Sequence, residues 1–337
     1  MPQSTQRLLG GAATSYRPAL DGLRAVAVIL VMANHANLPG FAPWMGQAGV
    51  SIFFVISGYL ITGLLLHRHD GLAAFWQRRA LRLVPALAVL LLIVTPIALS
   101  RGDEKALFHA VAGALYIGNW VRVSGDHLGA LGNLWSLAVE EQFYLVWPLV
   151  LLFLRPRVRW LLLVVVAVTV FRFTQAPTAA IYGTFGRIDA LLLGAVLAIS
   201  GLRLPRWAAP AGLALIVGFY LLRPDQPAVA TLGLALASVA GVLLVGGLAD
   251  RPALGLERRA PRTVGRISYG LYLWNTPMII LFGPVGGSIL TVVAAVASYH
   301  VVERPFLRLK DRLAPRREAQ GGMTTAAPVP VHIRFDS

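Results

Sequence analysis

The sequence predicts an all-α protein, a polytopic membrane bundle of about ten transmembrane helices plus one short re-entrant or interfacial helix. Three observations carry that reading. The chain is 57% hydrophobic and only 13% charged, too apolar for a soluble domain of this length. Its apolar residues come in long runs rather than amphipathic stripes, at 22–38, 47–66, 80–99, 107–121, 134–154, 158–174, 187–202, 207–222, 228–248, 267–283 and 285–302. Its basic residues collect in the short segments between runs, which orients a membrane protein and accounts for a net charge of +15 without any nucleic acid partner.

The runs fix the topology once one of them is set aside. The run at 107–121 is the shortest and is interrupted by His109, Gly113, Gly118 and Asn119. If it packs as a re-entrant or interfacial helix, ten spans remain and both termini face the cytoplasm. Of the 30 basic residues, 24 then lie inside and 6 outside, Arg172 and Arg187 among the latter. The domain reading follows: a cytoplasmic segment at 1–19, an integral-membrane domain at 20–312 and a disordered cytoplasmic tail at 313–337. Residues 1–19 are polar with no cleavage pattern, so the first run is expected to stay as a signal anchor.

Cysteine is absent, which excludes disulfides, thiolate metal sites and a cysteine acyl-enzyme. No metal site is expected. The informative residues are the polar ones inside apolar runs. In LDGLRAVAVILVMANHANLPG (20–40), Arg24 stands at one end and His35 at the other. A charge in hydrocarbon costs at least about 2.5 kcal/mol and calls for a reason. Eleven residues place His35 roughly 16 Å along the axis from Arg24 and about 20° around it, so both lie on one face. Snorkelling, or a pair with Asp21, is the bland account of Arg24. A satisfied structural donor is the bland account of His35, yet imidazole is also the side chain suited to moving protons near neutrality.

The fifth run, NLWSLAVEEQFYLVWP (133–148), repeats Ser136, Glu140 and Tyr144 every four residues, one polar stripe that must point into the bundle. Glu140 is expected at a depth comparable with His35, where a carboxylate would fix the imidazole tautomer. Glu141, rotated by about 100°, is not expected to share that face. At the opposite surface FWQRRALRLVP (75–85) presents Arg79 and Arg82 at i and i+3, with Arg78 four before Arg82. Guanidinium forks suit phosphate oxygens. A cytoplasmic anion held by Arg79, Arg82 and Arg24 with a thin arm reaching toward His35 and Glu140 has the shape of an acyl-coenzyme A.

These residues lie in YRPALDGLRAVAVILVMANHA, with Arg24 and His35 separated by ten residues, GVSIFFVISGYLIT (49–62), the R-x-x-R of Arg79 and Arg82, LWSLAVEEQFYLVWP with Glu140, RISYGLYLW (266–274) and VERPFLRL (302–309). Taken in this order they resemble the acyltransferase 3 family of integral-membrane O-acyltransferases, which modify sugars and other hydroxylated acceptors in bacteria. The resemblance runs from Tyr16 to about Lys310. It implies a ten-helix domain in the bacterial cytoplasmic membrane, an acyl-CoA donor, acetyl-CoA foremost, on the cytoplasmic side, and an acceptor on the far side. It also implies His35 as the catalytic residue with Arg24 its motif partner. One departure stands out: relatives commonly read LYLWH where this chain has LYLWNTP, placing Asn275 at a histidine position. Asn275 can exchange hydrogen bonds but cannot act as a base. No hydrolase-like domain of the kind some relatives append is expected.

The leading expectation is therefore acyl transfer to a hydroxyl of a carbohydrate or glycosylated metabolite, with His35 as general base and Glu140 orienting it. Asn34, Ser57 or Asn275 would donate to the oxyanion, and an acyl-histidine intermediate is a variant route. Ser136 and Tyr144 are placed along the substrate path. A transporter or flippase is the alternative from another class, in which the charges would line a route; a scaffold bundle with structural polar networks is a third.

Overall fold

A computed structural model describes residues 16–38, 44–67, 71–221, 227–250 and 254–312. The expectations for 1–15 and for the tail at 313–337 lie outside the described residues. Every regular element among the described residues is helical. In chain order these are α1 Pro18–His35, α2 Trp44–Leu66, α3 Leu72–Ser100, α4 Ala106–Ala114, α5 Gly118–Val123, α6 Leu134–Leu149, α7 Val158–Phe173, α8 Pro177–Tyr182, α9 Thr184–Ser200, α10 Ala208–Leu221, α11 Pro227–Leu248, α12 Arg259–Arg266, α13 Ser268–Phe282, α14 Pro284–Ser298 and α15 Arg304–Arg312. Two π-helical turns, Val150–Leu154 and Tyr299–Glu303, extend α6 and α14.

Each apolar run of the sequence is a helix or a helix pair. Six stretches are long and apolar enough to cross a membrane: Met45–Leu66, Leu72–Ser100, Leu134–Leu154, Pro177–Ser200, Thr231–Leu248 and Pro284–Leu309. The run at 107–121 breaks at 115–117 into α4 and α5, of nine and six residues. At 1.5 Å per residue the longer reaches only about 14 Å, under half the hydrocarbon thickness. His109, which interrupts that run, is buried against Asp126 (Nε2 to Oδ1 3.0 Å), and this tie folds α4 back onto the following loop.

The outside of the bundle is apolar. Leu92, Phe153, Leu163, Val166, Val170, Val285, Ile289 and Val293 all point outward. Where lipid replaces water outside, burial of apolar surface no longer distinguishes inside from outside, and close packing of small residues takes over. Helices α2 and α9 show this: a Cβ at Gly58 would overlap the Leu191 carbonyl, and one at Gly194 would overlap the Val55 carbonyl. The two backbones touch, so neither glycine tolerates a side chain.

Two prolines inside helices also set the architecture, because each removes an N–H and frees the carbonyl four residues earlier. Pro148 in α6 frees Tyr144 O, which accepts from the Trp76 indole at 3.1 Å. Pro277 in α13 frees Leu273 O, which Asn133 Nδ2 reaches at 3.4 Å while it also donates to Tyr272 O. Both bonds tie a kinked helix to a neighbour, α6 to α3 and α13 to the start of α6.

Candidate active site

Helices α1, α2, α3, α6 and α13 enclose a cavity of about 80 Å³. Arg24, Ser57, Arg79, Arg82, Ser136, Glu140 and Tyr272 bring polar groups to its wall, and Phe53, Phe54 and Leu83 supply apolar faces. Three of the four expected donor-side arginines thus meet at one end. Arg78 is rotated by about 100° from Arg79 on the helix and does not line the cavity.

Each guanidinium there is held differently. Arg24 Nη1 contacts Asp21 Oδ1 at 3.3 Å, so its expected local pair forms while the side chain still lines the cavity. Arg79 lies 3.8 Å over the Tyr144 ring, and its Nε donates to Glu141 Oε1 at 3.2 Å. Glu141 therefore joins the cluster after all, reaching Arg79 from the flank that the helical wheel leaves to it. Arg82 has no carboxylate within ion-pair distance among the described residues.

The stripe on α6 is present as the four-residue spacing requires. Ser136 shares a hydrogen bond with the Tyr272 hydroxyl, Glu140 Oε1 accepts from Ser57 Oγ at 2.8 Å, and Tyr144 lies beneath Arg79. The expected pair between Glu140 and His35 does not form. Ser136 and Tyr272 share a level; Glu140 lies four residues, about 6 Å, to one side of it, and the residue that meets His35 lies three residues, about 4.5 Å, to the other. That residue is Asn275. Its Oδ1 is 2.6 Å from His35 Nδ1, with Thr276 Oγ1 at 3.4 Å.

Asn275 has a further property. It is fully buried, and its Nδ2 has no hydrogen-bond partner. With Oδ1 accepting from Nδ1–H, the imidazole carries its lone pair on Nε2, and an unused amide donor stands beside it. Asn34, one residue before His35, packs against Gly46, where a Cβ would come within 2.8 Å of its Cγ. Ser57 sits at the Glu140 level rather than beside His35, which removes it from the set of groups near the imidazole.

The cavity stops one turn short of His35. Its last polar residues toward that end are Tyr272 and Ser136, with Phe53 packed edge-on to Tyr272 at 6.3 Å between centroids. The Tyr272 hydroxyl also donates to Asn133 O at 2.8 Å. One side-chain layer, rather than an open conduit, thus separates the arginine end from the imidazole. Tyr272 was not singled out by sequence, and Glu141 was set off the polar face that its contact with Arg79 joins. Tyr269 and Tyr272 at i and i+3 in RISYGLYLW, both on the cavity wall, are the signal that would have found the first.

Near the His35 end lies a charged loop. Gly132 packs by Thr276, and the same loop holds Asp126, which accepts from Lys105 Nζ at 2.9 Å and from Leu128 N at 3.0 Å. Those two donors, Lys105 foremost, bring the Asp126 carboxyl down to about 2, and Lys105 is raised in turn by its bond to Asp126. Among the described residues no group of three or more histidine, aspartate and glutamate side chains could hold a metal ion.

The acyltransferase-domain family matches residues 17–301 of the chain. The protein YrhL of Bacillus subtilis (strain 168) is 34% identical over 90% of this chain and 56% of its own length. O-acetyltransferase OatA of Staphylococcus aureus (strain MRSA252) is 32% identical over 92% of this chain and 60% of its own. Peptidoglycan O-acetyltransferase OatA of Listeria monocytogenes (strain EGD-e) is 35% identical over 80% and 50%. The chain thus spans half to three-fifths of the length of these relatives. No solved structure matches it. Six apolar helices together with this likeness make the protein a multi-pass membrane protein. A match over residues 17–301, which contain the arginine cavity and the His35–Asn275 pair, means that the chain belongs to the acyltransferase 3 family.

Proposed function

We propose that this chain is a ten-span O-acyltransferase of the bacterial cytoplasmic membrane with both termini in the cytoplasm, the membrane domain occupying residues 20–312. The donor is acyl-CoA, acetyl-CoA first among candidates. The observation that carries the reading is the placement of three cavity-lining arginines, from α1 and α3, at one end of the cavity and of an imidazole hydrogen-bonded to Asn275 one turn beyond its other end. Phosphates of the donor head would engage Arg79, Arg82 and Arg24, with Arg78 at the rim, and the pantetheine arm would occupy the space between Phe53, Ser57, Ser136 and Tyr272.

In this mechanism His35 Nε2 removes the proton from the acceptor hydroxyl as its oxygen bonds to the thioester carbonyl carbon. Asn275 Nδ2 donates to the oxygen that becomes negative. When the carbonyl re-forms, the C–S bond breaks and the imidazolium returns its proton to the thiolate. For the arm to reach His35, the Tyr272–Ser136–Phe53 layer must give way. Glu140 serves the donor end instead of orienting His35, holding Ser57 beside Arg79. The acceptor is a carbohydrate hydroxyl; the three relatives are all named for O-acetyl transfer, two of them to peptidoglycan, which makes a glycan of that class the first to try.

The test is transfer of radiolabelled acetyl-CoA in proteoliposomes supplied with glycan acceptor. Label is expected on the glycan with wild type and absent with His35→Ala that inserts normally. Label that stays on CoA while acceptor crosses the bilayer would favour a transporter and sink the assignment.

A further inference from the structure

A second cluster of charge lies in the bundle, behind the aromatic wall of the cavity. Arg172 of α7 and Arg187 and Asp189 of α9 are 1%, 1% and 2% exposed. Arg172 is ion-paired with Asp189, and its Nε donates to Gly186 O at 2.6 Å. Ser238 Oγ of α11 donates to the other Asp189 oxygen at 3.2 Å. That half of the cluster is balanced in charge, one cation against one anion, although Arg172 Nη1 has no hydrogen-bond partner.

Arg187 is the other half. Two residues along a helix are about 200° around it, so Arg187 points away from Asp189 and toward α2. There its Nη2 donates to Ser51 Oγ at 3.0 Å, and its guanidinium carbon lies 5.5 and 5.8 Å from the Phe54 and Trp135 ring centres. Its Nε has no partner. Among the described residues no carboxylate is in ion-pair contact with it; the cluster holds two guanidiniums and the single carboxylate of Asp189, which Arg172 takes. Arginine does not escape burial by losing its proton. Ring faces and one hydroxyl soften an isolated buried cation but do not neutralise it.

We infer that Arg187 holds a small monovalent anion inside the bundle, a halide or a simple carboxylate. The surplus is one charge, so a divalent anion would overshoot. Arg187 is almost wholly buried with Phe54 and Trp135 against its guanidinium, surroundings that favour a small, weakly hydrated anion over a bulky one. Ser51 accepts from Arg187 and keeps its own O–H to donate to the same anion.

Thermal unfolding of the purified full chain in detergent, at constant ionic strength in sodium gluconate, chloride or acetate, tests this without any assay of transfer. Chloride or acetate is expected to raise the wild-type Tm by roughly 3 °C or more in a saturable manner, and the one that saturates at lower concentration identifies the occupant. Ser51→Asp places a carboxylate where the hydroxyl meets Arg187. It is expected to show the raised Tm in gluconate alone and no further response. Arg187→Met should also lose the response, and if it does not fold, Ser51→Asp decides alone. A wild-type Tm identical in all three salts, or a Ser51→Asp protein that responds as wild type does, overturns the inference.

Discussion

Two guanidinium clusters lie within one bundle, and they differ in what their surroundings allow. Around the cavity Arg24, Arg79 and Arg82 face Asp21, Glu140 and Glu141, charge against charge, yet Arg82 is left without a close carboxylate. Behind it Arg172 and Asp189 pair in a sealed space, with Ser238 filling the second carboxylate oxygen. In the open pocket solvent or substrate completes unfinished hydrogen bonding, whereas in the sealed cluster the unpartnered Arg187 Nε and Arg172 Nη1 have no bulk solvent to turn to. The difference teaches which polar residues to read as chemistry and which as framework.

Substitutions can break that division or sharpen it. The largest effect is expected from His35→Ala, a loss of transfer of about 10²–10⁴-fold with Tm little changed, measured by label transfer and thermal unfolding together. A large drop in Tm would move His35 to the framework side. Close behind comes Asp189→Asn, which strands Arg172 in the sealed cluster and is expected to cost about 3–5 kcal/mol of stability; the readout is yield of folded protein in detergent, and normal yield would break the contrast. Replacing Arg79 and Arg82 together by Ala should raise KM for acyl-CoA roughly 10- to 100-fold, one to two lost charge-assisted hydrogen bonds, while acceptor KM holds.

Smaller effects probe the frame. Gly58→Ala forces a methyl into the Leu191 carbonyl and is expected to destabilise by about 1–3 kcal/mol, seen as a lower Tm at unchanged acyl-CoA affinity. Smallest is the loop near His35. The Asp126 carboxyl is depressed to about 2, so its contribution to loop stability is present above about pH 4 and is lost as pH falls from 4 through 2. The raised Lys105 works in the opposite sense, its contribution present below its ordinary value and lost only as pH rises past it. Hydrogen exchange at 103–131 should therefore accelerate between pH 4 and 2 after correction for intrinsic rates, and Asp126→Asn should remove the step.

Much of this was legible in the sequence, because membrane helices are written as long apolar runs and because intramembrane charges are few. The run at 22–38 became α1, the broken run at 107–121 became two short helices, and Ser136, Glu140 and Tyr144 share the face that their spacing requires. Periodicity says which residues share a face of one helix; it does not say which residue of another helix stands opposite. That depends on tilt and relative height, so His35 meets Asn275 rather than Glu140, and Glu141 finds Arg79 despite its rotation. Arg172 and Arg187 were counted among charges outside the cytoplasm, whereas they are buried, because charge counting assigns a side of the membrane and is blind to insertion between helices.

Contact between the backbones of α2 and α9, with glycine at both crossings, welds those two helices into a stator. Under the proposed mechanism the swing that would let a long substrate arm pass the Tyr272 layer falls to α13, which has a proline at Pro277 and is tied by Asn133 at the carbonyls of Tyr272 and Leu273. Tyr272 and Asn275 both lie on α13, so under the proposed mechanism a movement of that helix that opened the passage would also shift the group bonded to the imidazole, and admission of the arm and arming of the base would be geared together.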